Sequence, residues 1–334
     1  MSGREVKPIE SQESRQRAGP PNAGPLWAHA LAVVFGLFLI GLFTGLAYAI
    51  AAAAVGVGLF LFLSVKGGGR NLLFRRAVDV PDLLVMLALY GAVIAFYRLA
   101  FVVVKENDLL LFLFFAIGLL VGVVGAVVYT VWARKRPLES LGLSLSSLPR
   151  VALLALLFAA VQFSITLWGY DLPETQGWVT LLGMALMVGL FESIFFRGFV
   201  QERLQASLGS APAVFGAALL YGVYHVGYGM GLEEVIFLSG LGVVYGLAYL
   251  AARNILVLWP LLTPLGSLFA QLEGGELVGR LPWAALFGFA DVMAVMATAI
   301  WLAHRHLRKR ERNSRSPAVN RRTASTSLIQ RPLG

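Results

Sequence analysis

LLLFLFFAIGLLVGVVGAVVYTVW, running from Leu109 to Trp132, contains no charged residue. A transmembrane helix needs about 20 consecutive, mostly apolar residues, and this stretch is long enough. It is apolar all the way round, so it has no polar face to turn toward water. Charges stand at both ends: Lys105, Glu106 and Asp108 before it, Arg134, Lys135 and Arg136 after it. Water-facing groups at the ends of a dry middle are what a bilayer selects. This one stretch points to an all-α membrane protein.

Outward from it the same pattern recurs. Further spans read as Asp82–Val104, Val151–Tyr170, Trp178–Val200, Ala211–Tyr228, Val235–Ala252, Ile255–Gln271 and Leu281–Ala303. The run Leu26–Val65 is long enough for two more, with a turn near Thr44 and Gly45. The expectation is a polytopic transmembrane helix bundle of about ten spans. Over the whole chain 58% of residues are apolar and 13% charged, against roughly 45–50% and 25% in soluble domains. So few charges leave too little polar surface for a water-soluble fold of 334 residues. Cysteine is absent, which removes disulfides, thiolate nucleophiles and cysteine-built metal sites.

Charge in the loops sets the expected orientation. One set of loops carries Lys66, Arg70, Arg75 and Arg76, then Arg134–Arg136, then Arg203, then Arg253. The alternate set carries Glu106 and Asp108, Asp171 and Glu174, Glu233 and Glu234, Glu273 and Glu276. Basic loops mark the cytoplasmic side, so both termini are expected there. Residues 1–25 are polar and proline-bearing and read as a disordered cytoplasmic leader. Residues 304–334, rich in arginine, read as a basic disordered cytoplasmic tail whose counter-charge is anionic lipid. The net charge of +9 is therefore assigned to topology and membrane lipids. No nucleic-acid partner is expected, since the tail lacks interleaved aromatics.

Ionisable groups inside a membrane are costly and mark functional sites by default. The spans offer few: Arg98, Glu192, Arg197, His225 and Asp291 stand out within them. Arg98 reads as snorkelling to the interface, and Asp291 as its structural partner. Glu192 and His225 lie on consecutive antiparallel helices at similar depths. A carboxylate and an imidazole meeting there suit activation of a water, or simply tie two helices together. Arg197 follows Glu192 by five residues, roughly 140° round an α-helix, so the two are not expected to share a face. Arg197 is expected near enough to the inner surface to reach phosphates.

The segment Phe191-Glu192-Ser193-Ile194-Phe195-Phe196-Arg197-Gly198 resembles the first motif of the CPBP (Abi) intramembrane proteases, which include type II CAAX prenyl endopeptidases and bacteriocin-processing enzymes. That motif is two glutamates, three residues and an arginine, often followed by glycine. Glu192, Arg197 and Gly198 match it, and Ser193 stands in for the second glutamate. Tyr221-Gly222-Val223-Tyr224-His225 is similar to the second motif, an aromatic residue followed at the fourth position by histidine. The third motif, histidine then asparagine or aspartate four residues on, has no histidine here. The Trp259-Pro260 segment resembles its helix, which would put Thr263 and Ser267 at the two positions.

The resemblance implies a CPBP-like protease core over 150–271; the N-terminal transmembrane helices over 26–149 and a last transmembrane helix over 272–303, read from hydropathy, are additions to it. It implies an intramembrane endopeptidase in the cell membrane, acting on membrane-embedded or lipidated peptide or protein substrates. Glu192 would be the general base, His225 its partner, Thr263 and Ser267 donors to the oxyanion, with Arg197 and Tyr221 in support. No cofactor is expected, because catalytic zinc usually takes three protein ligands and Glu192 with His225 supplies two. Pro260 and Pro264 within a span would free backbone groups, either as a packing kink or to open a wet chamber. Two other readings stand beside this one. The first is a protease-like membrane scaffold or immunity protein without peptidase activity, favoured by Ser193 and the missing histidine. The second is a transporter using Glu192, His225 and Asp291 as a proton relay.

Overall fold

The computed structural model describes residues 78–166, 175–265 and 284–328. All regular structure among them is helical. Helix α1 (Val80–Arg98) begins where the Asp79 carboxylate accepts the Asp82 amide hydrogen at 3.1 Å, with Pro81 in the first turn, where a proline is tolerated. Asn107 starts α2 (Asp108–Val128) likewise, accepting from the Leu110 amide at 3.1 Å. Both helices end in a π-helical turn, Leu99–Val103 and Tyr129–Ala133. A 3-10 turn (Leu138–Leu141) and α3 (Leu148–Thr166) come next.

Helix α4 (Thr175–Glu192) runs directly into a π-helix over Ser193–Gln201 and then into α5 (Glu202–Leu208). Helix α6 (Ser210–Tyr224) ends in a 3-10 turn, His225–Tyr228. Helix α7 (Leu232–Ala252) precedes a 3-10 turn at Ile255–Leu258, and α8 (Ala284–Leu328) closes the order. Helix α6 packs on α7, α1 on α2, and α8 on both α2 and α4. The core between them is aromatic. Phe191, Phe195, Phe196 and Phe199 are fully buried. Phe191 meets Tyr97 of α1 edge-on, with ring centroids 6.0 Å apart, and Phe196 packs against Tyr224 of α6 at 4.6 Å.

Among the described residues, five helical stretches are long and apolar enough to cross a membrane: Val80–Val103, Asp108–Ala133, Leu181–Leu208, Leu232–Ala252 and Phe287–Asn313. They make this an integral membrane protein. The expected count of ten is not reached among the described residues, and the two spans assigned to 26–65 lie outside them. Expected span Ala211–Tyr228 is an α-helix of 15 residues plus a 3-10 turn, short of the roughly 20 residues a straight crossing takes. Expected span Val151–Tyr170 appears as a shorter apolar helix over Leu148–Phe163. Expected span Ile255–Gln271 is broken in its described part. Trp259 takes a left-handed backbone (φ 38°) just before Pro260, and helix resumes only at 262.

Two assignments made from charge also change. Arg203, expected in a loop, lies within α5 and is 1% exposed. Its terminal nitrogens reach the Thr130 hydroxyl at 2.7 Å and Asp82, itself fully buried, at 3.9 Å. Arg134 and Arg136 complete the cluster, 2.9 and 3.1 Å from the same carboxylate, and Arg134 also pairs with Asp79. The helix from α4 to α5 outruns the usual spanning length, so a charge expected beyond its end falls inside the bundle. Residues 304–328, expected as a disordered tail, continue α8 as helix. Arginine and lysine are good helix formers, and the apolar helix ahead of them supplies the nucleus. The leader and residues 329–334 lie outside the described residues.

Candidate active site

Glu192 is the last residue of α4 before the π-helix, and the wide turn after it decides which side chains stand beside it. A π-helix closes i→i+5 hydrogen bonds, so a residue five positions on returns to nearly the same side. Glu192 and Arg197 therefore line one cavity, against the expectation from α-helical spacing that they would face apart. The other walls are Gly189, Ser193, Tyr221, Tyr245, Leu258, Thr263 and Pro264. The cavity has about 20 Å³ of room, enough for a single water, which needs about 10–15 Å³.

Two tyrosines hold the Glu192 carboxylate. Tyr224 donates its hydroxyl to Oε1, and Tyr221 donates to Oε2 at 3.2 Å. Both sit on α6, three residues apart and so on one face of that helix. His225 comes next in the chain. Its Nδ1–H donates to the Tyr221 carbonyl at 2.8 Å, which leaves Nε2 as the acceptor nitrogen. Its ring lies 4.0 Å from that of Tyr224, centroid to centroid. No hydrogen bond or ion pair among the described residues joins His225 to Glu192; the donors to its carboxylate are the two tyrosine hydroxyls.

Arg197 is not at the inner surface. It is 1% exposed, and its guanidinium lies over the rings of Tyr221 and Tyr245, at 5.1 and 5.7 Å from their centroids. Thr263 reaches the cavity because the chain breaks at Trp259 and Pro260 and then turns back toward α4. Gly189 makes the approach possible: a Cβ there would run into the Pro260 carbonyl. Gly198, the glycine after Arg197, lies against the Leu141 backbone, which a Cβ would likewise strike. The Phe-Phe-Arg-Gly string thus aims an arginine inward and seats its helix on the Leu138–Leu141 turn.

The structure brings Glu192, Arg197, Tyr221 and Thr263 together and sets His225 behind the tyrosine layer. Ser267 lies outside the described residues. Arg98 donates to the Val226 carbonyl at 3.5 Å, while Asp291 is exposed on α8, and no ion pair joins them among the described residues. Tyr224 and Tyr245 escaped the sequence reading. The Tyr221/Tyr224 spacing of three beside a glutamate-bearing neighbour was a usable signal, whereas Tyr245 arrives from α7 with no local cue. Among the described residues no group of three or more histidine, cysteine, aspartate or glutamate side chains comes together.

Residues 173–261 match the family model described as Type II CAAX prenyl endopeptidase Rce1-like. The match spans α4 to the Ile255–Leu258 turn and carries both the Glu192–Arg197 and the Tyr221–His225 segments. It supports membership of the CPBP family. No curated protein and no solved structure is significantly similar to the chain.

Proposed function

We propose, from this segment of CPBP type, that the chain is an intramembrane endopeptidase of the cell membrane. It hydrolyses peptide bonds in membrane-embedded or lipidated substrates, with bilayer lipid as its surroundings. The observation that carries this reading is the Glu192 carboxylate on a cavity with room for one water. Glu192 takes a proton from that water as its oxygen bonds to the scissile carbonyl carbon. The carbonyl electron pair moves onto its own oxygen, and the Thr263 hydroxyl, with Ser267, donates to the resulting oxyanion. Collapse re-forms the carbonyl and breaks the C–N bond, while the proton on Glu192 passes to the leaving amine. Tyr221 and Tyr224 aim the carboxylate. His225 is a positioning residue that fixes the end of α6 through its bond to the Tyr221 carbonyl.

A second reading, a protease-like scaffold, is favoured by one feature: both Glu192 oxygens already accept tyrosine hydroxyls. Cleavage of a fluorogenic peptide pool by the full chain in liposomes separates the two. For a protease, Glu192→Gln lowers kcat by about 10²–10⁴-fold, the usual worth of a general base, and His225→Ala lowers it less. If wild type and Glu192→Gln both leave every peptide intact, the scaffold reading stands.

A further inference from the structure

Arg197 is a buried cation without the partners that burial normally demands. Neither terminal nitrogen of its guanidinium has a hydrogen-bond acceptor among the described residues. Buried polar groups are nearly always paired, and an uncompensated buried charge is destabilising by several kcal/mol. Ser193 stands four residues earlier, and the carboxylate one π-turn earlier is Glu192. Glu192 shares its cavity, yet the Glu192 oxygens are engaged by Tyr221 and Tyr224. Across the same cavity the Thr263 hydroxyl oxygen is also buried and unpartnered. The two tyrosine faces around the guanidinium hold it in place and offer it no acceptor. Three unsatisfied donor groups therefore border the space beside a carboxylate that is itself already bonded.

We infer that Arg197 is the principal donor to the oxyanion in the reaction proposed above, with Thr263 as its companion. The inference rests on that reading for the source of the charge. As the Glu192-activated water adds to the carbonyl carbon, the negative charge arising on oxygen meets a guanidinium already desolvated and oriented. Such preorganised donors act in the transition state with little reorganisation.

The test uses the full chain in liposomes and detergent, as wild type, Arg197→Gln and Arg197→Lys. Kinetics are read on peptides with free and with amidated C-termini. Thermal midpoints are read in gluconate buffer with and without sodium chloride, chloride serving as a single-atom anion. The expected result is a kcat lower by about 10²–10³-fold in Arg197→Gln, with KM nearly unchanged, equally on acid and amide peptides. Arg197→Lys recovers part of the loss. Arg197→Gln melts no lower than wild type, and chloride raises the midpoint of wild type alone. A loss confined to free-acid peptides overturns the inference in favour of recognition of a substrate C-terminus. A lowered midpoint in Arg197→Gln, with no chloride effect in wild type, overturns it in favour of a structural arginine. If wild type cleaves nothing, the proposed function fails, and the chloride response then decides whether Arg197 is an anion site.

Discussion

Arg197 and Arg203 lie six residues apart on one continuous helix, and each is 1% exposed. Their surroundings differ in kind. Arg203 spends its terminal nitrogens on Asp82 and Thr130, and only its Nε lacks a partner. It anchors α5 to the start of α1 and the end of α2. Arg197 faces a cavity with both terminal nitrogens free of hydrogen bonds among the described residues. Burial alone does not tell two such charges apart. What separates them is whether the described residues give the terminal nitrogens hydrogen-bond or ion-pair partners.

The largest expected effect attacks the anchored side of this contrast. Arg203→Met removes the buried cation of the Asp82 cluster and its bond to Thr130, leaving that carboxylate to the partly exposed Arg134 and Arg136, and should destabilise the fold by about 3–5 kcal/mol, read by denaturation of the purified protein. Asp82→Asn should cost less in that background than in wild type, since the two changes couple. If Arg197→Gln costs as much stability as Arg203→Met, the contrast fails. A smaller effect belongs to the cavity side. Tyr224→Phe removes a hydroxyl donor to Glu192, a charge-assisted bond of about 1.5–3 kcal/mol. It should lower stability by no more than about that amount and kcat by about 10- to 100-fold, read by denaturation and by peptide cleavage. The smallest is Arg253→Gln, which removes an exposed ion pair to Glu202 of 2.5 Å. Such pairs contribute about 0–1 kcal/mol, so a loss comparable to that of Arg203→Met would mean that exposure is a poor guide here.

The membrane class was legible in residues 109–132 alone, because length and uniform apolarity are one-dimensional properties. Glu192, Arg197, Tyr221 and Thr263 were legible as motif positions. Their meeting was not, since a spacing of five reads as opposite faces until the helix widens into a π-helix. Nothing in a 3.6-residue period announces that change. Arg203 was misread for a related reason: a span of assumed length ends before it, and its partner Asp82 lies about 120 residues earlier in the chain, beyond any local pattern. The break at Trp259 was half legible. Pro260 and Pro264 announced lost backbone bonds, but the approach of the Pro260 carbonyl to Gly189 depends on a tertiary contact.

The π-helix between Glu192 and Arg203 has a consequence for how this chain tolerates change in length. A π stretch carries more residues per turn than an α-helix, so it sets the rotational phase between α4 on one side and α5 on the other. Glu192 lies at one end with its tyrosines, and Arg203 lies just past the other with Asp82. Excising one residue from Ser193–Gln201 would let the helix relax toward α geometry and turn Arg197, Arg203, or both, away from their present neighbours. Apart from Arg197 and Gly198, side chains in this segment admit exchange for others of like size. Its residue count does not, and a single in-frame codon deletion there should be more damaging than most substitutions.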